Sequence, residues 1–360
     1  MAEDRRPPGV PEPAPRKLSR LSIGFAVITL AMLAVGVMTF FMPPPAEQPE
    51  SLWVGGFELH GHRGARGLFP ENTLEGFERA LALGVDVLEM DAVLSADQVL
   101  VVHHDLRLEP ERTRDAAGDW IDAPGPAITA LSREALGAYD VGRRRDGSEG
   151  AERFAGQLAM DGLPVPALAA VLRRTEELSG GRMRYNIELK TTPLLPDVSP
   201  DPLAAARALV ELIDELNLGD RVMVQSFDWR ALVEVERLRP EFFTGFTTVE
   251  QDWSDTLQRG QPGASPWLGG LDLDDGPTTP PAAVRHLGGS VWQPFYQDLR
   301  PADLDEAHRL GLRVVVWTVN DPGVMRSLIE AGVDGIITDY PDRLRRVMGE
   351  AGLPVPPAYP

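Results

Sequence analysis

From Trp53 to about Gly349 short apolar, strand-like runs alternate with longer amphipathic, helix-like ones, the rhythm of an α/β fold. The pattern predicts strands at 57–62, 85–93, 184–190, 221–227, 242–247, 290–293, 313–319 and 335–338, with 99–103 continuing extended after a Ser95-Ala96-Asp97 turn. Helices are predicted at 72–83, 167–178, 202–216, 229–238, 301–310, 322–331 and 341–348. Eight strands in roughly 300 residues suit a (β/α)8 TIM barrel better than an open sheet. Two stretches break the rhythm. Residues 106–163 are charged, Gly-rich and weakly periodic, and read as a cap inserted on a loop. Residues 250–288 are crowded with Gly and Pro, and a strand-like piece near 267–273 leaves the strand count open.

The N-terminus follows another pattern. Leu21 to Met42 is a run of 22 residues without a charge, which as a helix rises roughly 33 Å, enough to cross a bilayer core of about 30 Å. Residues 1–20 carry five basic side chains against three acidic ones, so the positive-inside rule keeps this end cytoplasmic and sends the rest across. The competing reading, a cleaved signal peptide, fits less well, because the run is long and Pro43-Pro44-Pro45 follows it. The expected organisation is a disordered basic tail over 1–20, a transmembrane helix over 21–42 and a Pro-rich linker over 43–52. A barrel over 53–349 with its cap, and a C-terminal tail over 350–360, complete it.

Charge narrows the partners. A net charge of -19 repels phosphate backbones and argues against nucleic acid, so an anionic substrate has to be met by local cations or a metal. The absence of cysteine removes thiol nucleophiles and thiolate metal sites.

Candidate chemistry sits near predicted strand ends, where barrels of this type carry their working residues. Four of the six histidines fall in His60-Gly61-His62-Arg63-Gly64 and His103-His104-Asp105, with Glu89 and Asp91 between them. Glu89 and Asp91 are two apart on one strand and share a face, and Glu188 and Lys190 repeat that spacing. Acids so placed repel unless a cation or a proton intervenes; the alternative is a buried Glu–Lys pair with solvated acids. Three carboxylates suit Mg²⁺ or Ca²⁺ better than Zn²⁺. His62 and His104 can trade protons, whereas His60 and His103 read as core or supporting groups. Arg63 can clamp a phosphate oxygen or form a plain salt bridge. Arg143–Arg145 reads as a solvated surface run.

These residues carry a resemblance. His62-Arg63-Gly64, Pro70-Glu71-Asn72-Thr73, Glu89-Met90-Asp91 and His104-Asp105 resemble the glycerophosphodiester phosphodiesterase family. So do the later Ile187-Glu188-Leu189-Lys190, Gln225-Ser226-Phe227, Trp317-Thr318-Val319-Asn320 and Gly332 through Pro341. The resemblance spans about 57–349. It implies one divalent cation held by Glu89, Asp91 and Glu188, an acid–base pair of His62 and His104, phosphate binding by Arg63 and Lys190, and Trp317 lining a glycerol pocket. It further implies attack on phosphorus by the glycerol 2-hydroxyl, loss of the alcohol, and opening of the cyclic phosphate by water. One departure is that Arg112-Thr113-Arg114 comes slightly later than the family's usual Arg-Thr-Thr. The expected activity releases glycerol 3-phosphate from glycerophosphodiesters. A second expectation is a lysophospholipase D working at the membrane surface, with Trp120, Ile121, Leu158 and Met160 of the cap either contacting acyl chains or closing a small core. A silent binding protein is a third; loss of a ligand or histidine would be its signature, and none is lost.

Overall fold

The computed structural model describes Trp53 and residues 55–360; the predicted tail, transmembrane run and linker lie outside these. Among the described residues no helix is long and apolar enough to cross a membrane.

Eight parallel strands close into a barrel: β1 (Glu58–Gly61), β2 (Val87–Leu94), β3 (Arg184–Leu189), β4 (Val222–Ser226), β5 (Phe243–Thr248), β6 (Val291–Pro294), β7 (Arg313–Val316) and β8 (Gly335–Thr338). Closure is direct, because β1 pairs with both β8 and β2. Each strand is followed by a helix: α1 (Leu74–Leu83), α2 (Leu168–Ser179), α3 (Pro202–Leu216), α4 (Trp229–Leu238), α5 (Pro280–His286), α6 (Pro301–Arg309), α7 (Pro322–Ala331) and α8 (Pro341–Glu350). Their starts are written in the sequence. Thr73, Asp201, Asp228, Thr279 and Asp321 accept backbone N–H bonds at the helix N-termini, and Pro stands in the first turn of α3, α5, α6, α7 and α8.

The period of two along each strand separates two environments. On β2, Leu88, Met90 and Ala92 join the large apolar core between strands and helices, whereas Val87 joins the small cluster inside the barrel. Glu89 and Asp91, in phase with Val87, therefore point inward. The same phase sends Glu58, His60 and His62 inward on β1, and Asn186, Glu188 and Lys190 on β3.

Leu100–Val102, predicted as an extension of strand character, turns back antiparallel on β2 instead of joining the barrel wall. The 106–163 segment has short helices at Arg133–Leu136 and Glu149–Arg153. Its Leu108, Ile128, Leu136 and Val141 pack against Val93 and Val101 of that hairpin, one shared apolar cluster. Residues 267–273 form turns rather than a strand, and Leu268 and Leu273 are buried in the strand–helix core. Past α8 the chain runs back beneath α1. Tyr359 donates its N–H to Leu81 O at 3.0 Å, and Arg345 donates to Pro356 O at 2.6 Å.

Candidate active site

At the C-terminal ends of the barrel strands a cavity of about 410 Å³ is lined by His62, Arg63, Glu89, His104, Glu188 and Trp317, among others. Its shape begins with the turn after β1. Gly61 packs so closely on Gly64 O that a Cβ there would sit 2.3 Å from it, and Arg63 takes a left-handed backbone (φ 51°). That conformation aims the Arg63 N–H at Glu89 Oε2, 2.7 Å away.

Glu89, Asp91 and Glu188 each offer a carboxylate oxygen within 4.8 Å of the others, and all three are buried. Burial and the two neighbouring acids push Glu89 well above the usual carboxylate range. For Glu188 burial again raises the pKa, with Asp91 adding to it and Lys190 opposing. Asp91 goes the other way: burial would raise it, but His104, Arg63 and Lys190 together hold it low. Asp91 accepts from Asn72 Nδ2 at 2.8 Å through Oδ2, while its Oδ1 is buried without a hydrogen-bond partner. Crowded buried carboxylates, an orphaned oxygen and an all-oxygen donor set are what a hard divalent cation fits.

Lys190 and Arg63 brace this cluster. Lys190 Nζ donates to Glu188 Oε1 at 2.6 Å and lies 3.7 Å from Asp91 Oδ1. Arg63 Nη1 donates to Glu71 Oε1 at 2.6 Å, and its Nε lies 3.2 Å from Asp91 Oδ2. Trp317 forms a wall of the cavity; its indole N–H donates to Gln293 O at 3.0 Å, and Phe227 meets its ring edge-on at 5.1 Å.

Each cavity histidine is held through Nδ1. His62 donates to Asp339 Oδ1 at 2.6 Å, leaving Nε2 4.0 Å from Glu89. His104 donates to Asp105 Oδ1 at 2.5 Å. Burial, reinforced by Arg66, lowers His62 to about 4; burial, with Arg63 and Lys190, lowers His104 to about 3. Both rings are therefore neutral at pH 7, able to accept a proton at Nε2.

The other histidines sit elsewhere. His60 is buried lower in the barrel, 3.3 Å from Glu58. His103 donates to Asp105 O at 2.8 Å and accepts from Arg112 Nη2 at 3.2 Å.

Two structural partners, Asp339 and Glu71, are given no role by the sequence alone, and a third, Gln225, is placed by it only near a strand end. Asp339, one residue past β8, also accepts from Arg66 Nε at 2.8 Å and Asn320 Nδ2 at 2.7 Å. Gln225 on β4 donates to Glu89 Oε1 at 3.0 Å and to Glu188 Oε2 at 3.4 Å, bridging two of the acids. Glu71 gathers Arg63, Arg112 and Arg144 and so ties the cap to the site. Arg144 thus departs from the solvated run predicted for 143–145, while Arg143 keeps to it, pairing on the surface with Asp161. Asp339 and Glu71 both stand inside the quoted motifs, so the signal was present in sequence.

The family model for the glycerophosphoryl diester phosphodiesterase family matches residues 62–343. The chain belongs to this family. A solved structure from Silicibacter pomeroyi, named after the same family, has TM-score 0.73 and 33% identity, over 83% of this chain and 95% of that one. A curated glycerophosphodiester phosphodiesterase from Caldanaerobacter subterraneus is 29% identical, over 81% of this chain and 97% of the relative. A human protein named lysophospholipase D GDPD1 is 24% identical, over 79% of this chain and 83% of its own length.

Proposed function

We propose that this protein hydrolyses glycerophosphodiesters to glycerol 3-phosphate and an alcohol, with a divalent cation, Mg²⁺ or Ca²⁺, held by Glu89, Asp91 and Glu188. The observation that carries this reading is the pairing of two carboxylate-tethered imidazoles with a buried acid cluster on one cavity. Family membership supplies the substrate class.

When bound, the cation would offset two of the three negative charges on Glu89, Asp91 and Glu188 and would polarise the phosphoryl oxygens as a Lewis acid. Everything else is done by side chains. Asp339 and Asp105 fix the tautomer and aim of His62 and His104, so that each presents Nε2 to the cavity. One neutral ring takes the proton of the attacking hydroxyl, and the other, after taking up a proton from solvent at Nε2, gives it to the leaving oxygen; the roles exchange for the water step, in which the second ring takes the water's proton and the first gives back the one it holds. Arg63 and Lys190 add positive charge beside the acids, and burial strengthens each of these interactions. Trp317, packed on Phe227, offers an apolar face to the glycerol carbons.

We further propose that residues 21–42 anchor the protein in a membrane, with a cytoplasmic N-terminus and the barrel on the outer, periplasmic or extracellular, face. The uncharged run and its basic flank support this.

The test is release of glycerol 3-phosphate from glycerophosphocholine by the purified protein. Activity should vanish with chelator and return with added Mg²⁺ or Ca²⁺. Undiminished turnover in excess chelator contradicts the metal assignment, and no turnover under any metal contradicts the activity.

A further inference from the structure

The catalytic cavity has two unlike walls. Phe227, Trp253, Phe295 and Trp317, from the loops after β4 to β7, make an aromatic one. Arg63 and Arg66, after β1, and Arg153, from the cap, make a basic one, and β1 lies across the barrel from β5 and its neighbours. The cap residues named above for acyl contact, Trp120, Ile121, Leu158 and Met160, are not in the lining. What the cap brings to this cavity is a guanidinium.

Two of the three arginines are already paired. Arg63 has Glu71 and Asp91, and Arg66 has Asp339, which accepts from its Nε at 2.8 Å and its Nη2 at 3.1 Å. Arg153 is exposed and has neither an ion pair nor a side-chain hydrogen bond among the described residues. Its guanidinium lies over the Phe154 ring, 5.4 Å from the centroid, and Arg66 and Arg144 lie over the same ring at 4.8 and 4.9 Å. Three cations around one ring repel one another unless anions intervene. Asp339 answers Arg66 and Glu71 answers Arg144; Arg153 is left over.

The acids nearby do not close that gap. A smaller cavity of about 180 Å³ shares Arg63, Arg66 and Arg153 with the larger one and also carries Arg144, Glu71, Glu109, Glu111 and Glu149. Glu71 is divided among Arg63, Arg112 and Arg144, and Glu109 is taken by Arg112. Glu111 and Glu149 are exposed, and neither lines the catalytic cavity. The carboxylates that do line it, Glu89 and Glu188, belong to the buried cluster proposed for the cation.

A phosphodiester carries two organic arms. With the glycerol carbons on Trp317, as in the reading above, the alcohol arm leaves phosphorus toward the basic wall. There it meets Arg153, whose planar fork of N–H donors matches a carboxylate or a phosphate monoester in two-pronged fashion. A neutral arm offers that fork no charge, and a cationic arm is repelled by it.

We propose that Arg153 binds an anionic group at the end of the alcohol arm, a carboxylate or a phosphate monoester, so that diesters with a negatively charged arm are better substrates than those with a neutral one. This rests on the phosphodiesterase reading above.

The test uses the full-length protein and three glycerol phosphodiesters whose short alcohol arms differ only at the end, in a carboxamide, a carboxylate or a phosphate. At least one anionic arm should give kcat/KM about fivefold or more above the carboxamide, mostly through KM, the size of a charge-assisted contact at an exposed arginine. The arm that gains more identifies the group. Arg153→Gln should bring the ratio of anionic to neutral substrate to within about twofold of unity, and Arg153→Lys, which keeps the charge without the fork, should retain part of it. Equal kcat/KM on all three substrates in the wild type overturns the proposal. So does a gain that survives Arg153→Gln, whether because nothing changes or because all three substrates fall together, as they would if Arg153 served the diester phosphate. Each of these leaves the phosphodiesterase reading standing. Hydrolysis of none of the three overturns that reading and this proposal with it.

Discussion

Strand β2 presents two surfaces that obey different rules. Leu88, Met90 and Ala92 face the helices in an apolar core with no exposed area to speak of, while Glu89 and Asp91, the residues between them, face the barrel axis among like charges. The first surface lowers the free energy of folding by removing apolar area from water. The second raises it, since buried acids repel and one oxygen of Asp91 has no hydrogen-bond partner. A strand that tolerates the second surface does so because the first, repeated around eight strands, holds the frame. Stability and chemistry are thus separated by one residue of register.

Breaking the chemical surface should leave the frame standing. His62→Ala is expected to lower kcat/KM on glycerophosphocholine by on the order of 10²–10⁴, the range of acid–base contributions, with an unchanged melting curve. Full activity in that variant would remove the histidine from the mechanism. Asp339→Asn comes next. It keeps the side-chain volume but no longer fixes the His62 tautomer, and a loss of about tenfold to a hundredfold is expected in kcat. A variant equal to wild type would show that the 2.6 Å contact is incidental.

Breaking the structural surface should do the reverse. Leu88→Ala removes a fully buried side chain facing the helices and is expected to cost about 2–5 kcal/mol in denaturant unfolding, while the rate per folded molecule stays within a few-fold. Smallest of all is Arg173→Ala. It breaks a pair with Glu215 in which both side chains are mostly exposed, and unfolding should shift by no more than about 0.5 kcal/mol. A large effect there would mean that the outer helix faces contribute more than the two-surface picture allows.

Register is also what made so much of the site legible. Glu89 with Asp91, and Glu188 with Lys190, could be assigned to common faces because strands have a period of two, and the apolar period of α3, α4 and α7 placed them within a residue of where their capping Asp residues start them. What stayed hidden depends on barrel closure. Asp339 reaches His62 only because β8 pairs with β1 across 277 residues of chain, and Gln225 reaches Glu89 across 136. No local pattern encodes either contact. Residues 250–288 resisted for a different reason. Before α5 their order comes from a two-residue antiparallel ladder, Glu250–Gln251 on Ser254–Asp255, and from turns and side-chain acceptors such as Asp255 and Asp274, all too short to show a period. Residues 99–103 read in sequence only as an extended continuation after the Ser95–Asp97 turn, because apolar residues alone do not say which strand a segment pairs with; the antiparallel pairing of 100–102 with β2 is visible only in the fold.

The central claim is that Glu89, Asp91 and Glu188 share a single divalent ion. Titration calorimetry of Mg²⁺ and Ca²⁺ into the wild-type protein and into Glu89→Gln, Asp91→Asn and Glu188→Gln tests it without reference to activity. One ion per chain should bind the wild type, with affinity at least about tenfold weaker in each variant. No binding to wild type, or variants that bind as wild type does, would contradict it.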